Sequence, residues 1–157
     1  MALTQSKIAV QFQSTFGSGA TSGTVNHGVS SIPAIGSAAG QQDLEHSKAY
    51  TVATGTPLVL DVTALADPQG TTQNFAHVTA ILISNDSTTA AEILTVGGGS
   101  NPLLATWGET VQPNGGAYAL INPNPGLVVS GSAKNIQIAA ASGAAVAIKV
   151  TVKGRST

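Results

Sequence analysis

Histidine and the carboxylates are the side chains with the widest chemical repertoire in this chain. His27, His46 and His77 stand far apart, in neither His-x-His nor His-Glu-x-x-His spacing. A zinc ion would therefore need three distant loops to converge on it. Asp43-Leu44-Glu45-His46 is the densest polar cluster and has the donors to ligate a divalent cation through its carboxylates. A solvated loop entering a strand over 47 to 53 accounts for the same four residues with no special geometry. Asp61, Asp86, Glu92 and Glu109 supply further carboxylates. Glycoside hydrolysis needs two of them about 5 to 10 Å apart, and nothing in the sequence selects a pair. The many serines occur in no Gly-x-Ser-x-Gly elbow. Gly97-Gly98-Gly99 leads to Asn101-Pro102 without the lysine and helix start that a phosphate cradle uses. With no cysteine there is no thiolate nucleophile, disulfide or thiolate metal site. Trp107, Tyr50 and Tyr118 are the candidate aromatic platforms; Trp107, beside Gly108, suits a ligand platform, an interface anchor or a half-buried core position. The residues select no reaction, so no catalytic group, metal or cofactor is expected.

Composition points toward surfaces instead. Charged residues make up 8% of the 157 positions and the net charge is -1, against about 25% charged residues in an ordinary globular chain. Thr, Ser, Asn, Gln, Gly and Ala must therefore cover much of the exterior. Low charge near neutrality favours association, so this exterior is expected to meet other protein. A hydroxyl-rich secreted β-protein would have a similar composition. The 6 Lys and Arg residues are spread along the chain, leaving no electrostatic footprint for nucleic acid. Met1 to Lys7 lacks the basic flank and apolar run of a secretory signal. Ile138 to Val152 is interrupted by Ser142, Gly143, Lys149 and Thr151, so it cannot span a bilayer as a helix. Neither a nucleic acid nor a membrane is an expected partner, and release into the cytosol is expected.

The elements that would position these residues are strands. A half-buried strand alternates apolar and polar residues because successive side chains point to opposite faces. Val146, Ile148, Val150 and Val152 alternate with Ala147, Lys149, Thr151 and Lys153. Ile136 and Ile138 share a face upstream, and Ser142-Gly143 between the two runs predicts a β-hairpin. Shorter runs recur at Ile8, Val10 and Phe12; Tyr50 and Val52; Leu58, Leu60 and Val62; His77 to Ser84; Ile93 to Val96; and Ala117 to Ile121. Asp67-Pro68-Gln69-Gly70 and Pro113-Asn114-Gly115-Gly116 carry turn chemistry, and Asn85-Asp86-Ser87 adds another break. Thr88 to Leu94 is the single short helical candidate. The fold class expected is all-β, an antiparallel β-sandwich or jelly roll.

Residues 17 to 42 are rich in Gly, Ser, Ala and Thr, with isolated Val25, Val29, Ile32 and Ile35. Long segments of this kind are commonly functional or disordered. The division expected is an N-terminal strand and flexible segment over 1–42 and a β-sandwich domain over 43–157. The flexible part is either an arm that orders against a neighbouring subunit or a loop with one weak strand. In the strand from 77 to 85, Ile81 and Ile83 project to one side and Val78, Ala80 and Leu82 to the other. Both faces want cover, from the N-terminal segment or from an oligomer contact. The candidate interface residues are Val25, Val29, Ile32, Ile35, Ile81, Ile83 and Trp107.

The segment from Ile81 to Gly99, Val111-Gln-Pro-Asn-Gly-Gly116, Gly131 to Val146 and the closing Val-Thr-Val-Lys-Gly154 together resemble small jelly-roll structural proteins of tailed bacteriophages. The shared pattern is a strand ending in Asn, a Leu-Thr-Val-Gly-Gly turn, a proline-glycine turn, an apolar hairpin around Ser-Gly and a strand stopping at Gly. Where such proteins often carry Gly-Thr-Ala-Asp, this chain has Gly131-Ser-Ala-Lys134, which removes a carboxylate. The resemblance implies a virion protein, a capsid decoration or cement protein, acting as a dimer or trimer. Its implied partners are the major capsid protein and further copies of itself. A tail-associated or receptor- and glycan-binding module is the other reading. It would use an outer pocket around Trp107, Tyr50 or Tyr118.

Overall fold

The computed structural model describes residues 7 to 18, 21 to 31, 33 to 104, 108 to 141 and 143 to 157. Among the described residues the chain is all-β, with fifteen strands and no helix. The first strands are β1 (Ile8–Ser18), β2 (Thr21–Ser31), β3 (Ala34–Ile35), β4 (Gln41–Gln42), β5 (Leu44–Val52) and β6 (Leu58–Asp61). A small pair follows, β7 (Leu65–Ala66) and β8 (Thr72–Gln73). The rest are β9 (His77–Asn85), β10 (Leu94–Val96), β11 (Glu109–Val111), β12 (Ala117–Ile121), β13 (Leu127–Val128), β14 (Asn135–Ala140) and β15 (Val146–Arg155). The helical candidate over Thr88 to Leu94 is instead irregular backbone with a turn, running into β10.

Two larger antiparallel sheets enclose the core. One has four strands in the order β11-β10-β14-β6; the other has five, β12-β9-β15-β5, with β13 also pairing with β9. Leu60, Leu94, Val96, Ile136 and Ile138 from the first meet Val52, Ile81, Ile83, Ile148 and Val150 from the second in a single buried cluster. Each such side chain gains about 1.5 to 3 kcal/mol from leaving water, and this burial is the main force joining the sheets. The arrangement is consistent with a β-sandwich. Alternation holds closely along β15: Val146, Ile148, Val150 and Val152 are buried, Ala147 and Lys149 exposed, and Thr151 and Lys153 half-buried.

The expected hairpin between 136–138 and 146–152 is not formed. β14 pairs with β10 and β6, while β15 pairs with β9 and β5. The link between β14 and β15 crosses from one sheet to the other, so the two alternating runs face each other across the core. β11 and β12 are likewise adjacent in sequence and belong to different sheets. The turn between them has Asn114 at φ 62° and Gly115 at φ 84°. Those are left-handed values that glycine adopts freely and asparagine tolerates. In the Asp67 to Gly70 turn, the Gly70 N–H donates to the Asp67 carbonyl at 2.9 Å. The strand expected to stop at Gly154 continues through it to Arg155, past a bulge between Lys153 and Gly154. A Cβ at Gly154 would collide with the His77 carbonyl oxygen and the Phe75 ring, so the close approach of β9 requires glycine there.

Within the stretch expected as an arm or a loop over 17 to 42, β2 pairs with β1 residue for residue from Ile8↔Ser31 to Ser18↔Thr21. They form a sheet of their own. Contacts also cross the boundary expected at 42/43. Ser37 O accepts from Arg155 Nη1 at 3.2 Å and from Thr157 Oγ1 at 2.8 Å, and Gln42 is fully buried. Residues from 37 onward are therefore tied into the body of the fold.

Candidate functional site

The residues with most chemistry are separated by the strand period. In the 43 to 46 cluster, Asp43 accepts from Ser156 N at 2.9 Å and Ser156 Oγ at 2.6 Å. Glu45 pairs with Lys153 Nζ at 3.2 Å on the outer face of β5. His46 is buried and points the other way. Its Nδ1 lies 2.5 Å from the Ala66 carbonyl, which can only accept, so Nδ1 carries the proton. In the neutral ring Nε2 then accepts from the Tyr50 hydroxyl at 2.9 Å, while burial raises the Tyr50 pKa. Among the described residues no three His, Asp or Glu side chains gather where a metal ion would sit.

The other carboxylates organise loops. Asp61 meets Lys134 Nζ at 2.6 Å and accepts from Thr63 N at 2.9 Å and Thr63 Oγ1 at 2.6 Å. Desolvation pushes the Asp61 pKa up, but the bonds from Lys134 and Thr63 together outweigh it and hold the carboxyl below its ordinary value. Asp86 accepts from Ser84 Oγ, and Glu92 from Ser87 Oγ. Fully buried Asn85 fixes the same corner. Its Nδ2 donates to the Glu92 and Val111 carbonyls at 2.7 and 3.3 Å, and its Oδ1 accepts from Ser87 N at 3.1 Å. These contacts give the strand ending in Asn a structural reason. Tyr50 and Tyr118 both pack against the core.

What the fold presents outward is two sheet faces. Across the four-stranded sheet, the register aligns Thr110, Thr95 and Ala139 in one row and Gln137 with Val59 in another. None of the five is charged, and Val59 is 51% exposed. Across the five-stranded sheet, one outer row is Ala119, Leu82, Thr151 and Ser47, and the next is Ile121, Ala80, Lys153 and Glu45. The apolar half of this face borders a cavity of about 220 Å³ lined by Ala80, Leu82, Ala119 and Ile121, together with Lys7 and Ala9 from the root of the ribbon. The Lys153 ammonium donates to the Lys7 carbonyl at 3.3 Å beside it. The N-terminal segment thus supplies part of the expected cover for β9.

Among the candidate interface residues, Ile81 and Ile83 are 1% and 0% exposed and belong to the core. They are opposite Val152 and Val150 of β15, whose side chains face inward, and directly paired residues share a face. The outward residue of β9 is Leu82, at 43% exposure. Its parity follows once β9 is known to pair with β15, which the sequence alone does not reveal. Ile35 is exposed in β3. Val25 and Val29 lie in β2, opposite Ser14 and Val10. Ile32 and Trp107 lie outside the described residues. Val59 and Val128 are exposed apolar residues that the sequence reading did not single out.

At the lower end of the five-stranded sheet, buried Arg155 reaches the carbonyls of Ser37, Pro125 and Thr157. His77 lies opposite it in the ladder. Desolvation and then the nearby Arg155 charge lower the His77 pKa. This clasp ties three stretches of chain to the end of β15. No protein-family model, curated protein or solved structure matches this chain.

Proposed function

We propose that the chain is a non-catalytic virion structural protein of a tailed bacteriophage, a capsid decoration protein of jelly-roll type that stabilises the shell by bridging capsid subunits. The observation that carries the reading is the largely neutral outer face of the four-stranded sheet, where Val59, Thr95, Thr110, Gln137 and Ala139 lie side by side and Asp61, in the next row, is ion-paired with Lys134. A surface of this kind, with its bordering carboxylate already ion-paired, buries against another protein without stranding a charge. In a chain with 8% charged residues, it supports assembly as the working activity.

The mechanism is physical. A protein that binds across a joint binds the closed shell and not the parted subunits, so its binding free energy adds to shell stability by linkage. The major capsid protein and further copies of this chain are the partners in this reading, and the virion is the location. Purified protein added to particles lacking it, followed by imaging, tests the proposal. Ordered density at capsid joints is the expected result. Density confined to tails, or none, would overturn it.

A further inference from the structure

The cavity of about 220 Å³ on the outer face of the five-stranded sheet has an aliphatic wall and a charged border. Ala80 and Leu82 of β9 and Ala119 and Ile121 of β12 supply the aliphatic wall. Ala119 is opposite Leu82 and Ile121 opposite Ala80, so the four side chains share a face. Leu82 is 43% exposed there, although its neighbours in β9, Ile81 and Ile83, are in the core. Among the described residues that line the cavity, the charged ones are both lysines, Lys7 and Lys153.

The two lysines are in different states. The Lys153 side chain is 13% exposed, pairs with Glu45 at 3.2 Å and donates to the Lys7 carbonyl at 3.3 Å, which holds the chain at residue 7 against the wall. Lys7 is exposed and has no ion-pair partner among the described residues. Glu45 therefore balances one ammonium and leaves one net positive charge beside the aliphatic wall. A molecule with an apolar body and a single negative charge complements that arrangement: the body leaves water, and one polar contact fixes its direction.

We propose that the cavity is a binding site for a medium-chain fatty carboxylate, with its alkyl chain against Leu82, Ala119 and Ile121 and its carboxylate at Lys7. Size sets the chain length. A dry cavity of about 150 Å³ takes up a six-carbon ring, and in proportion 220 Å³ holds about eight carbons. No aromatic ring is among the described lining residues, so stacking gives an aromatic ligand no advantage. Because Lys7 is exposed, the carboxylate stays at the mouth in contact with water, and no charge is buried. A dianion would leave one of its charges unanswered beside Glu45. The site lies on the opposite sheet from the neutral face that supports the shell reading, so each of the two readings stands or falls separately.

Sodium octanoate titrated into the purified full chain, followed by calorimetry and amide correlation spectra, tests the site. One saturable site is expected, with shifts centred on β9, β12 and residues 7 to 9. From hexanoate to octanoate the affinity is expected to rise about fourfold with each methylene, and to level off once the chain outgrows the cavity. Octylammonium, which meets Lys7 with a like charge, is expected to bind about tenfold more weakly than octanoate, and Lys7→Glu to weaken octanoate about three- to fivefold. Ala119→Phe, or Leu82→Trp if the first variant fails to fold, puts a ring into the cavity and is expected to abolish binding. Absence of saturable binding, shifts centred elsewhere, or an affinity independent of chain length would overturn the proposal. So would octylammonium binding as tightly as octanoate, an unchanged affinity in Lys7→Glu, or undiminished binding by a folded cavity-filling variant.

Discussion

The ribbon at residues 8 to 31 and the closing strand β15 use the same alternation of apolar and polar residues, yet they stand in different surroundings. β15 has β9 on one side and β5 on the other, and its apolar face meets the four-stranded sheet across a closed core. The ribbon strands pair with each other and form a separate sheet. Alternation therefore shows that a strand has an apolar face, but not whether its own chain supplies the cover. That difference separates a body whose two sheets share one core from a ribbon that forms its own sheet.

The largest expected effect lies in the body. Ile148 is 1% exposed, and Ile148→Ala should cost about 2 to 4 kcal/mol through lost burial and a residual cavity. Lys149→Ala on the outer face should stay within about 0.5 kcal/mol. Equal shifts of the denaturation midpoint for the two would break the assignment of β15's inner face. Next in size is Asn85→Ala, which removes a donor from two carbonyls and an acceptor from Ser87 N. Leaving buried groups unsatisfied should cost about 1 to 3 kcal/mol, measured by urea unfolding; an unchanged midpoint would show that the corner is held some other way.

A smaller effect should follow pH. His77 has a lowered pKa in the fold, first from desolvation and then from Arg155, so the unfolded chain binds its proton more readily. Its contribution is complete above the unfolded value of about 6.5 and is lost as pH falls through that value toward the folded one. Unfolding midpoints measured from pH 7.5 downward should fall more steeply for the parent than for His77→Gln; matching slopes would remove His77 as the cause. Smallest of all should be Lys134→Ala. The Asp61 pair is about one third exposed, and solvent screening leaves such pairs about 0 to 1 kcal/mol. A larger loss would mean that the loop before β14 depends on this pair.

The strands of the body were largely legible in the sequence. Ala117 to Ile121 emerges as β12 with the expected bounds, and the four valine and isoleucine positions of β15 face the core as their period requires. Strand partners were not legible. Ser142-Gly143 suits a tight hairpin and a crossing between sheets equally well, because turn chemistry sets local backbone and not the destination of the next strand. The same gap left open that Ile81 and Ile83 face the core. Two parities of β9 both looked apolar, and only pairing with β15 determines which one faces inward. In β1 and β2, Gly17, Gly23 and Gly28 dilute strand propensity, so the long pairing from Ile8↔Ser31 to Ser18↔Thr21 was not legible. At the candidate surfaces, low charge was readable from composition, whereas the rows of neutral residues exist only once distant strands are side by side.

The proposal that the body supports itself while the N-terminal strands serve assembly is tested most directly by removing residues 1 to 31 and comparing the remainder with the full chain. Thermal unfolding and native mass spectrometry of both proteins give the two readings needed. The account predicts a cooperative transition within a few degrees of the parent's and a change of mass from oligomer to monomer. A shortened chain that assembles as the parent does, or one that fails to fold at all, would contradict it.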